Sequence, residues 1–219
     1  ILGTKYDTPG YSLMNVSTGM VEGLDIEVAR AIAKELGLGP DDIEFKEAVS
    51  KNRIPFITSE VVDIVIASTA MTDERRKVIG MAGPYYVAGT QLVVKHEAKD
   101  RFTNAESMAG AKICATTGGT PIAAAKRFGA DAVAFDTYEE CVQQLLAGTV
   151  DGVLVGGGVA YGYADKYKEQ LTVTLEPFDP QRLGVGLKKD DNAFCEFILT
   201  SIQKSFESGE WENAFDSTL

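Results

Sequence analysis

Apolar residues recur along this chain with two different spacings, which predict alternating helices and strands. Between Asp25 and Leu36 they lie three and four residues apart, the spacing of an amphipathic helix, with Asp25 able to cap its start and Gly37 to end it. Residues 62–68 instead form a nearly continuous β-branched run, which is typical of a strand buried on both faces of a parallel sheet. The first third of the chain is therefore predicted to form an α/β unit.

The other apolar segments continue this alternation. Residues 57–63 and 146–151 both end a predicted helix with a tight turn and Val-Asp before an apolar strand. Either the chain contains two lobes built from the same unit, or the likeness is that of any helix-to-strand joint. The other predicted strands are residues 1–4, a strand at Phe45, 91–95, 112–115, 152–155 and 183–187, and the other predicted helices are residues 52–59, 120–127, 138–146, 192–206 and a short one around 211–215.

Two strand-like segments flank the middle of the chain, residues 91–95 and 183–187. They are the natural crossover strands if the chain passes to a second lobe and returns. A ligand would then lie between the lobes, at the carboxyl ends of the strands, as open α/β sheets generally arrange it.

Composition excludes several classes of protein. The 219 residues are 45% hydrophobic, which is enough for one large α/β domain or for two lobes of about 100 residues each. A formal charge of −11 provides no basic surface for nucleic acid, and no apolar run reaches the roughly 18 residues of a membrane span. The chain starts inside a predicted strand, and we expect an export segment to have been removed ahead of it.

Short motifs in order along nearly the whole chain resemble the polar amino-acid-binding proteins of bacterial ABC importers, the family 3 solute-binding proteins. Each motif is weak alone, but their order and spacing are specific. They are Gly3-Thr4, Pro-Gly-Tyr-Ser at 9–12, the helix segment 23–36, Asn-Arg-Ile-Pro at 52–55, Thr-Asp-Glu-Arg at 72–75, Gly-Pro-Tyr-Tyr at 83–86, Gly-Thr-Val-Asp at 148–151 and residues 183–191. The opening Gly-Thr-Lys-Tyr-Asp-Thr-Pro-Gly and the pair Cys114 and Cys141 further resemble the glutamate-binding branch of Gram-positive bacteria.

The resemblance implies a fold, a partner and a location. The fold is α/β, a two-lobed periplasmic-binding-protein fold of type II, with residues 1–87 and 184–219 in lobe 1, residues 88–183 in lobe 2 and the ligand cleft between them. It implies an extracytoplasmic protein, periplasmic or a cell-surface lipoprotein, that binds a small molecule as a monomer and docks on ABC permease subunits in the membrane. Glutamate or aspartate is the ligand that it favours.

The resemblance also implies a disulfide between Cys114 and Cys141, with two buried thiols as the alternative. Cys195 is expected to be a small core residue. The cysteine spacing and the single histidine, His96, fit no metal site, and no cofactor is expected.

Binding an amino acid requires a partner for its carboxylate. Arg75 matches the family position, and its planar guanidinium suits bidentate carboxylate binding. The turn at residues 116–120 joins a strand end to a helix start, where backbone N–H groups and the helix dipole can bind an anion, and the resemblance implies that Thr116, Gly118 and Thr120 make the contacts. The neighbouring Arg76 is expected to be solvated.

Other candidate positions concern the ligand side chain. Tyr11 stands where relatives place an aromatic wall, although such a residue is equally a core residue. Arg53 and Lys5 stand where ligand side chains are sensed, and two cations there would favour an acidic side chain; alternatively, both are surface charges. Ser68, two positions before Ala70, is a further candidate ligand-binding residue.

Two positions depart from the family pattern for an amino group. Ala70 replaces a hydroxyl residue, and Gly156, the first of three glycines, replaces the aspartate that holds the ammonium. The three glycines also predict unusual backbone freedom. Another carboxylate, Asp7 or Glu47, could substitute; otherwise the ligand is an amine-free carboxylate or a modified amino acid, or the binding role has changed.

Three functions remain open on this fold. The expected one is an import receptor without catalytic activity. A dehydratase-like enzyme would need a positioned general acid, for which the sequence offers no convincing candidate. A sensory domain of a larger receptor is the third.

Overall fold

A computed structural model describes residues 1–219, and the chain divides into two compact units. Unit 1 comprises residues 1–87 and 182–219, and unit 2 comprises residues 88–181. No helix combines the length and the apolar composition that crossing a membrane requires.

The secondary-structure elements alternate along the chain, as expected for an α/β fold. The first part contains strands β1 (Leu2–Thr4), β2 (Asp7–Thr8), β3 (Ser12–Met14) and β4 (Val21–Glu22), helix α1 (Leu24–Glu35), strand β5 (Phe45–Glu47), helix α2 (Arg53–Thr58), strand β6 (Ile64–Val65), helix α3 (Asp73–Val78) and strand β7 (Gly80–Lys95). Then follow β8 (Lys112–Thr116), α4 (Thr120–Arg127), β9 (Asp131–Phe135), α5 (Tyr138–Ala147), β10 (Gly152–Gly156), α6 (Gly157–Lys166), β11 (Leu171–Leu187), α7 (Asn192–Glu207) and α8 (Glu210–Thr218). Short 3₁₀ helices span Pro40–Asp42, His96–Arg101 and Ala105–Met108.

In unit 1 the sheet has the strand order β5-β1-β6-β11. Strand β1 is parallel to both β5 and β6, whereas β11 is antiparallel to β6. The carboxyl ends of the three parallel strands therefore lie at one edge, and the residues that follow them emerge there together. A separate antiparallel sheet, β2-β3-β4, follows β1.

Helix α1 has the predicted length, but its start differs from the expectation. Gly23 is the N-cap, with φ of 129°, and a Cβ there would lie 2.4 Å from the carbonyl of Tyr11, so glycine is required. The predicted capping role of Asp25 is wrong, because its carboxylate is buried and accepts hydrogen bonds from Ser68 and Tyr85. Gly37, with φ of 79°, follows the helix end.

The predicted strand at residues 62–68 is much shorter in the structure. Val65, Ile66 and Ala67 are fully buried, in agreement with the apolar pattern, but only Ile64–Val65 pair in a ladder. The chain then turns at Ser68, where φ is +48°.

In unit 2 the sheet order is β7-β10-β8-β9, with β8 parallel to β9 and to β10 and with β10 antiparallel to β7. Helix α6 was not predicted, and the expected backbone freedom of its glycines is wrong. Gly156 has ordinary angles, φ of −64° and ψ of 144°, and Gly157 lies inside the helix. A Cβ at Gly157 would lie 2.7 Å from Oε1 of Gln91, so a larger residue there would require the end of that side chain to move.

The predicted disulfide between Cys114 and Cys141 is confirmed. It joins strand β8 to helix α5 over a Cα–Cα distance of 5.6 Å, and both residues are fully buried. Cys195 is a free thiol and is partly buried, rather than the core residue that was expected, because it lies on the half-covered side of α7.

Candidate ligand-binding residues

Three cationic side chains of unit 1 are buried next to the carboxyl ends of its parallel strands. Lys5 follows β1, Arg53 begins α2, and Arg75 lies in α3, with exposed fractions of 1%, 5% and 8%. The alternative that Lys5 and Arg53 are surface charges is therefore wrong. Burying cations is costly unless they are paired, so their partners decide what the site can bind.

Arg53 is held by acceptors from two loops. Its Nε donates to the carbonyl of Ser50 at 3.2 Å, and Nη1 donates to the carbonyl of Ala67 at 3.0 Å. Nη1 also lies 3.3 Å from Oγ1 of Thr69. These neutral acceptors orient the guanidinium of Arg53.

Arg75 is oriented in a similar way. Thr72 caps α3 by accepting a hydrogen bond from the Arg75 N–H at 3.3 Å, and Nη1 of Arg75 donates to the carbonyl of Ala70 at 2.7 Å. Ala70 thus contributes its backbone to the site, although it lacks the hydroxyl that the family pattern places there. Arg76, the next residue, is exposed.

Lys5 belongs to a charged cluster with two carboxylates. Its Nζ lies 3.1 Å from Oδ1 of Asp7, and burial lowers the pKa of the Lys5 ammonium to about 8, although Asp7 opposes that change. Burial raises the pKa of the Glu47 carboxyl at the end of β5, and the charge of Asp7 raises it further. The cluster therefore combines a cation that titrates near neutral pH with two acidic groups.

Ser68 takes part in a network that the sequence did not indicate. Its N–H and its hydroxyl donate to Oδ2 of Asp25 at 2.7 and 3.0 Å, and the hydroxyl of Tyr85 donates to Oδ1. Burial raises the pKa of Asp25, and the hydrogen bonds from Tyr85 and Ser68 oppose this. Ser68 has a left-handed φ of +48°, which costs a non-glycine residue about 1–2 kcal/mol.

Tyr11 lies in the interior of unit 1. It is 1% exposed, and its ring centroid lies 6.0 Å from that of Tyr86. The structure thus shows Tyr11 as a packing residue, and its contact with a ligand stays a prediction.

In unit 2, the predicted anion-binding residues lie where β8 turns into α4. Thr116 is fully buried, and the turn is closed by a hydrogen bond from Gly119 N–H to the Thr116 carbonyl at 3.0 Å. Gly118 is exposed and has φ of +78°, and Thr120 is the first residue of α4. The helix start leaves N–H groups without intrahelical partners, which suits an anion.

Gly156 ends β10 and caps α6 in the same unit. Strands β8 and β10 are parallel, so their carboxyl ends, and the starts of α4 and α6, lie at the same edge of the unit 2 sheet. A Cβ added at Gly156 would meet no atom within 4 Å. The position therefore has room for a larger side chain.

Similarity to known proteins assigns the chain to a family. The model of the bacterial extracellular solute-binding proteins, family 3, matches residues 1–217. The chain belongs to this family. It is 30% identical to the ABC transporter glutamine-binding protein GlnH of Bacillus subtilis, an alignment that covers 98% of this chain and 79% of GlnH. It is also 30% identical to the glutamate-binding protein GluB of Corynebacterium glutamicum, over 100% of this chain and 77% of GluB.

Among solved structures, an ancestral arginine-binding protein bound to glutamine matches this family 3 chain with a TM-score of 0.92 and 28% identity, covering 100% of this chain and 96% of that one. These findings confirm the resemblance and the α/β fold of the periplasmic-binding-protein type. The named relatives bind amino acids that differ in side-chain charge, so the family alone does not choose the ligand.

Proposed function

We propose that the chain is the extracytoplasmic solute-binding component of an ABC importer and that its ligand is glutamate or aspartate. The observation that carries this proposal is the burial of three cations, Lys5, Arg53 and Arg75, at the strand ends of unit 1. An acidic amino acid supplies two carboxylates, which are groups that arginine and lysine side chains bind through charge-assisted hydrogen bonds. Relatives named as glutamate-binding and glutamine-binding support the class of ligand.

In this proposal the α-carboxylate and the side chain are bound by different residues. In unit 1, Arg75 binds the α-carboxylate in bidentate fashion. In unit 2, the N–H groups and hydroxyls of Thr116, Gly118 and Thr120 are the anion-binding groups. Lys5 and Arg53 bind the side-chain carboxylate. Glutamine is the closest competitor, because it has the same shape without the charge.

The ligand can be tested by thermal shift on protein that has been unfolded and refolded to remove bound solutes. Glutamate, aspartate, glutamine, arginine and the amine-free glutarate are the probes. A ligand at 100 times its dissociation constant stabilises the folded state by about 2.7 kcal/mol. Glutamate or aspartate should give the largest shift; a larger shift with glutamine or arginine would contradict the proposed ligand, and a shift with glutarate alone would indicate an amine-free carboxylate.

The pH dependence of binding tests the role of Lys5. Its pKa is about 8, so raising the pH from 7 to 9 removes most of its positive charge before ligand binds. We expect the affinity for glutamate to fall by roughly tenfold more than the affinity for glutamine, since both ligands carry the same titrating amino group. Calorimetric titrations at the two pH values measure the difference, and Lys5→Met should remove it. Equal pH profiles for the two ligands would show that Lys5 does not bind the side-chain carboxylate.

The amino group requires an acidic partner, and we propose Glu47 with Asp7 in that role. Both belong to the Lys5 cluster, and partial desolvation together with the charge of Asp7 raises the pKa of the largely exposed Glu47 carboxyl, an environment that a bound ammonium would relieve.

Gly156 provides a test of this assignment. Because the position has room for a side chain, Gly156→Asp should fold normally and add a carboxylate near the start of α6. We expect a several-fold gain in affinity for glutamate and no gain for glutarate, measured by calorimetry. The matched control is Gly156→Asn, which adds the same bulk without the charge. Equal changes for both ligands would show that a carboxylate at this position does not act as a further partner of the amino group.

We further propose binding without catalysis, transport through membrane permease subunits, and a monomeric state. Asp25, the acidic residue that is fully buried in unit 1, accepts three hydrogen bonds and is therefore occupied rather than poised to protonate a ligand. Incubation of the protein with each bound probe, followed by mass spectrometry, should recover the probe unchanged.

A further inference from the structure

The buried carboxylate of Asp25 accepts two hydrogen bonds from Ser68, the residue at which the chain turns after β6. Its Oδ2 accepts both the N–H of Ser68 at 2.7 Å and the Ser68 hydroxyl at 3.0 Å. We propose that Asp25 is a positioning residue for ligand binding, which fixes the Ser68 turn so that the flanking acceptors orient Arg53 and Arg75. This inference rests on the proposed function, because it assigns those two arginines to the ligand.

Ser68 needs an external anchor because of its backbone conformation. Its φ of +48° lies in the left-handed region, which serine avoids and glycine adopts freely. Asp25 offers a charged acceptor to the N–H and the hydroxyl at once, and these bonds are made only when residue 68 turns in this way. Charge-assisted bonds are about twice as strong as neutral ones, so a carboxylate offsets this strain better than a neutral acceptor would.

The residues on either side of Ser68 show what the turn achieves. The carbonyl of Ala67 and Oγ1 of Thr69 accept from Nη1 of Arg53, and the carbonyl of Ala70 accepts from Nη1 of Arg75. One segment of four residues thus orients two buried guanidinium groups. If Ser68 relaxed to an ordinary φ, the peptide planes around it would rotate and these acceptors would no longer be aimed at the arginines.

The anchor itself is fixed by the fold of unit 1. The N–H of Asp25 donates to the carbonyl of Tyr11 at 2.9 Å, at the start of α1. The other carboxylate oxygen, Oδ1, accepts from the hydroxyl of Tyr85. The Tyr85 bond steadies the carboxylate but does not hold Ser68, so it offers a control that disturbs the same buried group.

A double-mutant cycle separates positioning from general stability. The chains are the wild type, Asp25→Asn, Ser68→Gly and the double variant, each titrated with glutamate by calorimetry and melted without ligand. Asparagine keeps the shape of aspartate but loses the charge and one acceptor. Glycine at position 68 adopts φ of +48° without help, so it should make the anchor unnecessary.

We expect Asp25→Asn to weaken glutamate binding by about tenfold or more when residue 68 is serine, the loss typical of a charge-assisted bond, and by less than about threefold when it is glycine. Tyr85→Phe should lower the melting temperature yet keep the wild-type affinity. Equal losses from Asp25→Asn in both backgrounds, or a loss in Tyr85→Phe that matches it, would overturn the inference and make Asp25 a residue of the core alone.

Folding failures are also informative. If Asp25→Asn unfolds and the double variant folds and binds, the anchor role is supported; if neither folds, Asp25 serves the core and the inference is wrong. The melting temperatures of the four chains without ligand give the coupling between residues 25 and 68 in terms of stability. A wild-type chain that binds none of the probes would therefore contradict the proposed function alone, while the coupling between residues 25 and 68 would still be measured.

Discussion

Replacing Arg75 by alanine is expected to weaken binding of every carboxylate ligand by about 100- to 1000-fold, the cost typical of truncating one partner of a buried charge pair. Arg75 is 8% exposed, and its guanidinium is already oriented by the carbonyl of Ala70 at 2.7 Å. Little entropy is therefore lost when it binds a carboxylate. Removing it leaves the ligand's carboxylate desolvated and without its bidentate partner.

The matched control for this prediction is Arg76→Ala. Arg76 has the same chemistry and lies next in the same helix, but its side chain is exposed. Its replacement should change the affinity by less than about twofold, as expected for an exposed charge. Calorimetry with glutamate measures both variants, and circular dichroism shows whether each is folded. Similar losses in the two variants would mean that net charge, rather than the position of Arg75, governs binding.

A lysine at position 75 makes the test more specific. Arg75→Lys keeps the positive charge but loses the planar fork that matches a carboxylate, and its ammonium is more strongly hydrated. We expect it to recover only part of the affinity lost in Arg75→Ala. Full recovery would show that Arg75 acts as a point charge, and the bidentate geometry assigned to it would be wrong.

Long periodic segments of the fold could be predicted from the sequence. Helix α4 spans Thr120–Arg127, as predicted, because Pro121 starts it and its apolar residues follow a single period. Helix α1 differs from its prediction by one residue at each end, and α5 by one residue at its C-terminal end. In these segments local propensity and burial favour the same structure, so the spacing of apolar residues is enough to predict the helix.

Short or glycine-containing elements could not be predicted. Strands β2 and β4 have two residues each, which is too short for a period to be visible. Helix α6 begins with two glycines, whose weak helix propensity hides it; its buried residues, such as Val159 and Tyr163, are what stabilise it. Helix α3 is mostly charged, and only the Thr72 cap marks its start.

The candidate site also contains residues that could be predicted from the sequence and residues that could not. The residue types and their family positions indicated Arg75, Arg53 and Lys5, but a sequence does not state that a cation is buried, which is the property that makes these residues informative. Asp25 was misread as a helix cap because aspartate at a helix start usually has that role. Its partner Ser68 lies 43 residues away, and no local pattern connects them.

Breaking the disulfide between Cys114 and Cys141 is expected to lower the stability of unit 2 by about 3 kcal/mol, because the crosslink removes chain entropy from the unfolded state. The two cysteines are 27 residues apart, and the segment between them contains α4 and β9. The bond also fixes β8 two residues before Thr116. Thiol reduction of the wild type and the variant Cys114→Ala/Cys141→Ala should therefore lower the melting temperature and weaken glutamate binding together.

Cys195→Ala is the matched control, because Cys195 is a free thiol in unit 1 and its loss should leave both quantities almost unchanged. Calorimetric melts of the oxidised and reduced forms measure the stability, and titrations with glutamate measure the affinity. A reduced protein that keeps its melting temperature would contradict the stabilising role of the crosslink. A reduced protein that melts at a lower temperature but binds glutamate as before would show that the disulfide does not hold the Thr116–Thr120 turn. The turn would then be held by its own hydrogen bonds, such as that from the N–H of Thr117 to the carbonyl of Phe135 at 2.8 Å.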